Sequence, residues 1–243
     1  NRIYIEMPLE SQAAVFSSFL QLFIMPDSQY VRRYIRKSIQ DAMNENLVQI
    51  AANFIIQQQQ TNFNDITIEA SLYLLSMMIE YQNITDLLPI SMPFIDAGMN
   101  SNSNDARLAA VLHGMLIYNL IEDDEAIPLL SKYIDCGMQL LISFCTSNDP
   151  NYYSYIKDLK EGLTYLLDQE PEGINIDPIL ESCLSILCNN EIVPPFRYEV
   201  LIISDTLIVD SIENIVGDES KVQAILQVYF QYAQSIFNPN EEF

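Results

Sequence analysis

Apolar residues recur at intervals of three and four positions along nearly the whole chain, and this period constrains the fold more than any other feature. Such spacing places apolar side chains on one face of an α-helix, whereas alternation over a strand length is scarce. Only six glycines occur in 243 residues, so there is little material for tight hairpins or phosphate-binding glycine loops. The sequence therefore predicts an all-α protein.

The period divides the chain into roughly eleven helices whose edges are marked by Pro, Asn, Asp and Ser. The expected helices span 9–25, 29–43, 44–60, 65–81, 85–99, 105–122, 125–145, 151–169, 178–188, 195–216 and 218–237. The glutamines at 57–60 are expected to be a helix end that frays into a loop. Similar helix lengths and short connections favour consecutive antiparallel pairs over an irregular helical domain, which is the alternative.

One stretch, TDLLPISMPFIDAGMNSNSNDARLAAVLHGMLIYNLIE at 85–122, shows the pair most clearly. Two prolines lie in its first helix, Asp105 opens the second, and Ala109-Ala110 permits close helix approach. This order resembles a HEAT repeat. We therefore predict an α-solenoid of HEAT or armadillo type with about five pairs of around 40 residues. Residues 1–243 are expected to form a single array, and the start in mid-pattern at Asn1 suggests a fragment of a longer chain.

Negative charge is concentrated in the second half of the chain. Eleven Lys and Arg against 33 Asp and Glu give a net charge of −22. Residues 1–104 carry 5 basic and 10 acidic residues, and residues 105–243 carry 6 and 23. Such a surface repels nucleic acid and anionic membranes and attracts basic partners. Charge alone leaves two interpretations open, binding of a basic partner and simple solubility.

Patterns for catalysis and metal binding are lacking. His113 is the only histidine, and we expect it to be a hydrogen-bonded core or groove residue rather than a catalytic base. The cysteines are Cys136, Cys145, Cys183 and Cys188. They form no CxxC pair, and each is expected to be a buried thiol in an apolar helix. No GxGxxG or Walker loop occurs. We therefore expect no enzyme activity, cofactor or metal, and the free thiols suggest an intracellular protein.

Carboxylates and tyrosines share two of the expected helices in the acidic half. Acids beside tyrosines suit Lys and Arg side chains, which they bind by ion pairing and cation–π contact. Asp158 and Glu161 are three residues apart and so lie on one helix face. The candidate partner-binding residues are Tyr152, Tyr155, Asp158, Glu161, Tyr198, Glu199 and Asp205. The alternative is a solvated helix face with tyrosines half buried between repeats.

Three stretches from residue 85 onward carry a family resemblance. The first extends the HEAT-like pair through a short acidic turn into the aromatic-containing helix that ends SKYIDCGMQLL. The second is the tyrosine-rich, acidic DPNYYSYIKDLKEGLTYLL. The third is VDSIENIVGDES, where an apolar helix ends in Gly-Asp-Glu. In this order they resemble the C-terminal half of the importin-β (karyopherin-β) nuclear transport receptors.

The resemblance implies a carrier that shuttles between cytoplasm and nucleus. It would bind a basic helix of importin-α type, or a basic cargo, on an acidic inner face, and Phe-Gly nucleoporins between outer helices. The full-length protein would respond to the GTPase Ran. The family stacks tryptophans on the basic helix, and this chain has none, so Tyr152, Tyr155 and Tyr198 are the expected substitutes. The competing hypothesis is a HEAT scaffold without transport function, such as a phosphatase regulatory, coat or chromosome-organising subunit.

Overall fold

A computed structural model describes residues 7–25, 29–121, 127–167, 173–210 and 215–236. These residues form eleven α-helices and a short 3-10 turn, with no strand among them. The helices are α1 (Leu9–Phe23), α2 (Gln29–Ala42), α3 (Glu45–Thr61), α4 (Asp65–Met78), α5 (Ile84–Met99), α6 (Asn104–Asn119), α7 (Ile127–Ser147), α8 (Tyr153–Leu167), α9 (Asp177–Cys188), α10 (Pro194–Asp210) and α11 (Glu219–Ile236). The all-α prediction is confirmed, and the architecture is compatible with a helical-repeat solenoid.

Polar residues just before the helices explain why several of them start where they do. The Asn64 side chain accepts hydrogen bonds from the backbone N–H groups of Ile66 and Thr67, while the Thr67 hydroxyl accepts the Asn64 N–H. This reciprocal capping box begins α4. Asn83 accepts the backbone N–H of Thr85 at 3.0 Å and so caps α5. This helix was expected to begin at residue 85, and the structure starts it one residue earlier, at Ile84.

The glutamine run at 57–60 lies within α3, which continues to Thr61. Gln58 is buried in this helix. The expectation of a fraying helix end at this run is therefore wrong, because one of its polar side chains is held in the interior.

The chain divides into two compact units, Asn1–Ile121 and Glu122–Phe243. In unit 1, α1 packs on α2 and α3, α3 packs on α4, and α4, α5 and α6 pack on one another. In unit 2, α7 packs on α8 and α9, α8 packs on α10, and α9 packs on α10 and α11. Helices thus pack mainly on the next helix or the next but one. A single array over residues 1–243 stays a prediction.

Small residues let α5 and α6 approach closely. A Cβ atom placed on Gly98 of α5 would lie 2.7 Å from the Cβ of Ala110 and 2.9 Å from the carbonyl oxygen of Ala106, both on α6. Distances this short leave no room for a side chain at Gly98. The structure therefore places a close helix contact at one of the two alanines that the sequence singled out.

Candidate functional site

In unit 2, α8 and α10 lie side by side and each turns one stripe toward solvent. The buried residues of each helix lie on the opposite side, against α7 and α9. Positions three and four apart fall on one side of a helix, so each stripe is continuous along its axis. We call the following residues the acidic face: Asp158, Glu161 and Tyr165 on α8, and Tyr198, Asp205 and Val209 on α10. All are exposed except Asp158, which is half buried.

Two of the candidate tyrosines lie beneath this face. Tyr155 is only 6% exposed, and its ring centroid is 5.4 Å from that of Phe144 on α7. Tyr152, in the 3-10 turn before α8, stacks on the same Phe144 ring at 4.7 Å. The three aromatic rings join α7 to α8. Tyr155 is therefore a core residue rather than part of the acidic face, and Tyr152 is half buried beside it.

Glu199, another candidate, lies buried between α8 and α10 and links the two helices. It is 4% exposed, and its Oε1 accepts a hydrogen bond from the Tyr153 hydroxyl at 2.8 Å. Its Oε2 lies 3.8 Å from the Nζ of Lys160. The hydrogen bond to Glu199 is the main cause of a raised pKa at Tyr153. Both carboxylate oxygens of Glu199 thus face groups on α8, and neither the tyrosine nor the lysine was predicted from the sequence.

Asp205 is exposed on the acidic face and also connects α10 to α11. Its Oδ1 accepts a hydrogen bond from the Tyr229 hydroxyl at 2.6 Å, and that hydroxyl lies 2.8 Å from the Ser204 Oγ. Burial, together with the bond to Asp205, raises the pKa of Tyr229. A carboxylate can accept several hydrogen bonds, so Asp205 can serve this link and still meet a cation from solvent.

Three of the five cations of unit 2 contact other groups of the same unit. Residues 122–243 hold only 5 basic residues against 22 acidic ones, a net charge of −17. Arg197 is buried and donates to the Asn190 side chain at 3.2 Å and to the Ser235 hydroxyl at 3.0 Å. Lys160 lies beside Glu199, and Lys221 pairs with Asp177. The Nζ of Lys160 also lies 3.9 Å from the Oε1 of Glu161 on the acidic face, whereas Arg197 and Lys221 contact groups outside that face.

Three charged side chains of unit 1 form a cluster between helices. On α2, the Nη2 of Arg32 lies 3.2 Å from the Oε2 of Glu69 on α4 and 3.5 Å from the Oδ2 of Asp105 on α6. Burial, and then the Asp105 charge, raise the pKa of Glu69 to about 7 against the opposing effect of Arg32. A single guanidinium thus serves two carboxylates and joins three helices.

The only histidine lies in the core of unit 1. His113 on α6 bonds through Nδ1 to the Ser76 hydroxyl at 2.8 Å and through Nε2 to the Ser91 hydroxyl at 2.9 Å. Burial lowers its pKa to about 3, so the ring is neutral. The prediction of a hydrogen-bonded core histidine is confirmed.

The four cysteines differ in their surroundings. Cys145 and Cys183 are buried, and burial raises the pKa of each thiol to about 12. Cys136 is half buried and Cys188 is exposed, so the expectation that all four are buried is wrong. Over the ranges that the structure describes, no group of three His, Cys, Asp or Glu is placed to hold a metal ion.

The acidic face is thus the strongest candidate for a functional surface. Of the helices that the structure describes, none is both long enough and apolar enough to cross a bilayer. Comparison of the chain with protein-family models, with curated proteins and with solved structures finds no match. The resemblance to importin-β receptors therefore stays a prediction from the sequence.

Proposed function

We propose that the chain is a non-catalytic HEAT-type α-solenoid of about five helix pairs that binds a basic protein segment on the acidic face of unit 2. One observation carries the proposal. Two carboxylates and two tyrosines are exposed on two adjacent helices, with the half-buried Asp158 beside them, while three of the five cations of the same unit contact groups of the unit itself.

The arrangement suits an arginine or lysine side chain. Packed helices have axes about 8–10 Å apart, so a segment lying over α8 and α10 can meet carboxylates from both. A cation paired with Glu161 can also contact the ring of Tyr165, which lies one turn further along the same face of α8. Exposed ion pairs and exposed cation–π contacts each contribute about 1 kcal/mol or less. Binding therefore needs several cations in one segment and weakens as salt increases.

In the cell, the proposed role is that of an importin-β-like nuclear import receptor that shuttles between cytoplasm and nucleus. The basic segment would be an importin-α-type helix or a basic cargo. Phe-Gly nucleoporins would bind elsewhere on the solenoid, and Ran would act on the full-length protein. The three stretches from residue 85 onward support this role, and so does the concentration of acid in unit 2.

The test is calorimetric titration of the chain with an arginine-rich importin-β-binding peptide. We expect Kd to rise about tenfold or more between roughly 50 and 300 mM salt. Glu161→Lys and Tyr198→Ala together should weaken binding about tenfold, because they remove one ion pair and one stacking surface. Glu161 is exposed, so its replacement leaves the core intact. Glu181→Lys is the matched control, since it makes the same charge change on an exposed position of α9.

Three outcomes separate the hypotheses. No binding at low salt refutes the basic-partner proposal. Equal weakening by Glu181→Lys and by Glu161→Lys would mean that only net charge matters and that the acidic face is not the site. If the basic peptide binds on this face but a Phe-Gly repeat peptide does not bind the chain, the scaffold hypothesis replaces the transport role.

A further inference from the structure

One lysine of unit 2 lies between an interior carboxylate and a carboxylate of the acidic face. The Nζ of Lys160 on α8 is 3.8 Å from the Oε2 of Glu199 on α10 and 3.9 Å from the Oε1 of Glu161 on α8. Both distances exceed the length of an N–H···O hydrogen bond, so charge rather than bond direction holds the lysine. Lys160 can therefore shift toward either carboxylate without breaking a directed contact.

The two carboxylates differ in how strongly they need this cation. The Glu199 side chain is 5% exposed, whereas that of Glu161 is 68% exposed. Water hydrates and screens the exposed charge, but a buried carboxylate that loses its counterion is strongly destabilising. Among the residues that the structure describes, Lys160 is the only cation within ion-pair distance of Glu199. Glu199 should therefore hold Lys160 more strongly than Glu161 does.

A tyrosine hydroxyl completes the surroundings of Glu199. The Tyr153 hydroxyl donates to the Oε1 of Glu199 at 2.8 Å, and the other oxygen, Oε2, faces Lys160. The hydroxyl is uncharged, so it cannot replace the lysine as a counterion. The Nζ of Lys157, one turn earlier on α8, lies 5.8 Å from the centroid of the Tyr153 ring. Of these two lysines, Lys160 is therefore the one that compensates the interior charge.

We infer that Glu199 regulates the acidic face from inside the fold: it holds Lys160 away from Glu161 and so leaves Glu161 available to a cation of the basic partner. This inference rests on the proposed function of the acidic face. When a partner cation pairs with Glu161, Lys160 remains the counterion of Glu199, so no charge is left unpaired in the interior. Glu199 is thus a positioning residue that acts through Lys160, and it does not contact the partner itself.

The first test measures Lys160 in the chain without a partner. Limited acetylation with an N-hydroxysuccinimide ester, followed by mass spectrometry, gives a relative rate for each lysine. We expect Lys160 to react more slowly than the exposed Lys132 and Lys157. Glu199→Gln removes the interior charge and should accelerate the reaction of Lys160 about threefold. Glu161→Gln is the matched control, since the same change at the exposed carboxylate should alter that rate much less.

The second test measures binding of the arginine-rich peptide by calorimetry at low salt. In Glu199→Gln, Lys160 can move to neutralise Glu161, so Kd should rise about threefold. In a Lys160→Met background the same substitution should change Kd by less than about 1.5-fold, because no lysine remains to move. Lys132→Met is the control background, since it removes an exposed cation from α7. There, Glu199→Gln should still weaken binding about threefold.

The substitutions are chosen to preserve the fold. Glu199→Gln keeps the length of the side chain and an oxygen that can accept the Tyr153 hydroxyl. Circular dichroism should therefore show the same helix content in every variant. If Glu199→Gln nevertheless loses helix, Glu199→Asp replaces it, because it retains the charge but withdraws it from Lys160 by one methylene. Glu199→Asp should accelerate the acetylation of Lys160, and an unchanged rate in this variant would overturn the inference.

The results separate this inference from the proposed function. If the peptide does not bind the unmodified chain, the basic-partner proposal is wrong, and the acetylation rates still decide whether Glu199 holds Lys160. If the peptide binds but Glu199→Gln leaves the acetylation rate of Lys160 unchanged, the inference is wrong and the proposed function stands. Equal weakening of binding by Glu199→Gln with and without Lys160 would also overturn the inference, because Glu199 would then act through its own charge.

Discussion

The two units join alternate helices by different means. In unit 1, α2, α4 and α6 meet at the buried Arg32 and Glu69 and the half-buried Asp105. In unit 2, α8 and α10 are joined by a tyrosine hydroxyl on Glu199, with a lysine nearby. Unit 1 has 6 basic and 11 acidic residues, whereas unit 2 has 5 and 22. The comparison shows that one pattern of helix packing accommodates either an internal ion cluster or an acidic surface.

Removing the cation of unit 1 should have the largest effect. Arg32→Met removes the guanidinium that pairs with both Glu69 and Asp105 and should cost about 4 kcal/mol at pH 8. Hydrogen exchange should accelerate in α4 and α6 but not in α8 and α10. Lys37→Met is the control, because it removes an exposed cation from the same helix. Unchanged protection in Arg32→Met would mean that the cluster does not stabilise unit 1.

The next largest effect should be a change in the stability of unit 1 with pH. The pKa of Glu69 is about 7 in the fold against 4.5 for an ordinary glutamate, so the folded unit binds this proton more tightly. The resulting stabilisation is complete below pH 4.5 and is lost as the pH rises through 7, up to about 3 kcal/mol. Hydrogen exchange, corrected for its intrinsic pH dependence, measures the loss.

Two variants isolate this contribution. Glu69→Gln cannot ionise and should flatten the pH dependence of protection in α4. Glu80→Gln, at an exposed position of unit 1, should leave it unchanged. If protection in α4 still falls with rising pH in Glu69→Gln, a group other than Glu69 is responsible for the pH dependence.

The smallest effect on stability is expected in unit 2, on loss of the hydrogen bond between Tyr153 and Glu199. Tyr153→Phe removes the hydroxyl that donates to Glu199 and should cost about 1.5 kcal/mol, since a buried carboxylate loses one of its donors. Tyr165→Phe, on the exposed stripe of the same helix, should change stability by less than about 0.5 kcal/mol. Urea denaturation of both variants gives the difference. Equal effects would show that Glu199 is satisfied without the hydroxyl.

Helix positions could be predicted because they depend on local periodicity and on caps. Helix α9 was expected at 178–188 and is Asp177–Cys188, and α5 was expected at 85–99 and is Ile84–Met99. Which side of a helix faces solvent depends instead on a helix that is distant in the sequence. Tyr155 and Tyr198 both lie among acids, yet only Tyr198 is exposed, because Phe144 covers Tyr155.

The charged cluster of unit 1 was missed for the same reason. Arg32 and Glu69 are separated by 37 residues, and nothing in the sequence pairs them. The one available signal was Glu69 itself, an acid in the apolar interior of α4, beyond its first turn.

His113 has a consequence for spectroscopy. One arrangement satisfies every donor of this network: the Ser76 hydroxyl donates to the carbonyl oxygen of Leu72 at 3.0 Å and accepts from the histidine ring. In that arrangement Nδ1 carries the proton, and Nε2 accepts from the Ser91 hydroxyl. Since the chain has no other histidine, its imidazole gives one set of nitrogen resonances with a fixed tautomer. That single signal reports whether α4, α5 and α6 are in place, without any added label on the surface.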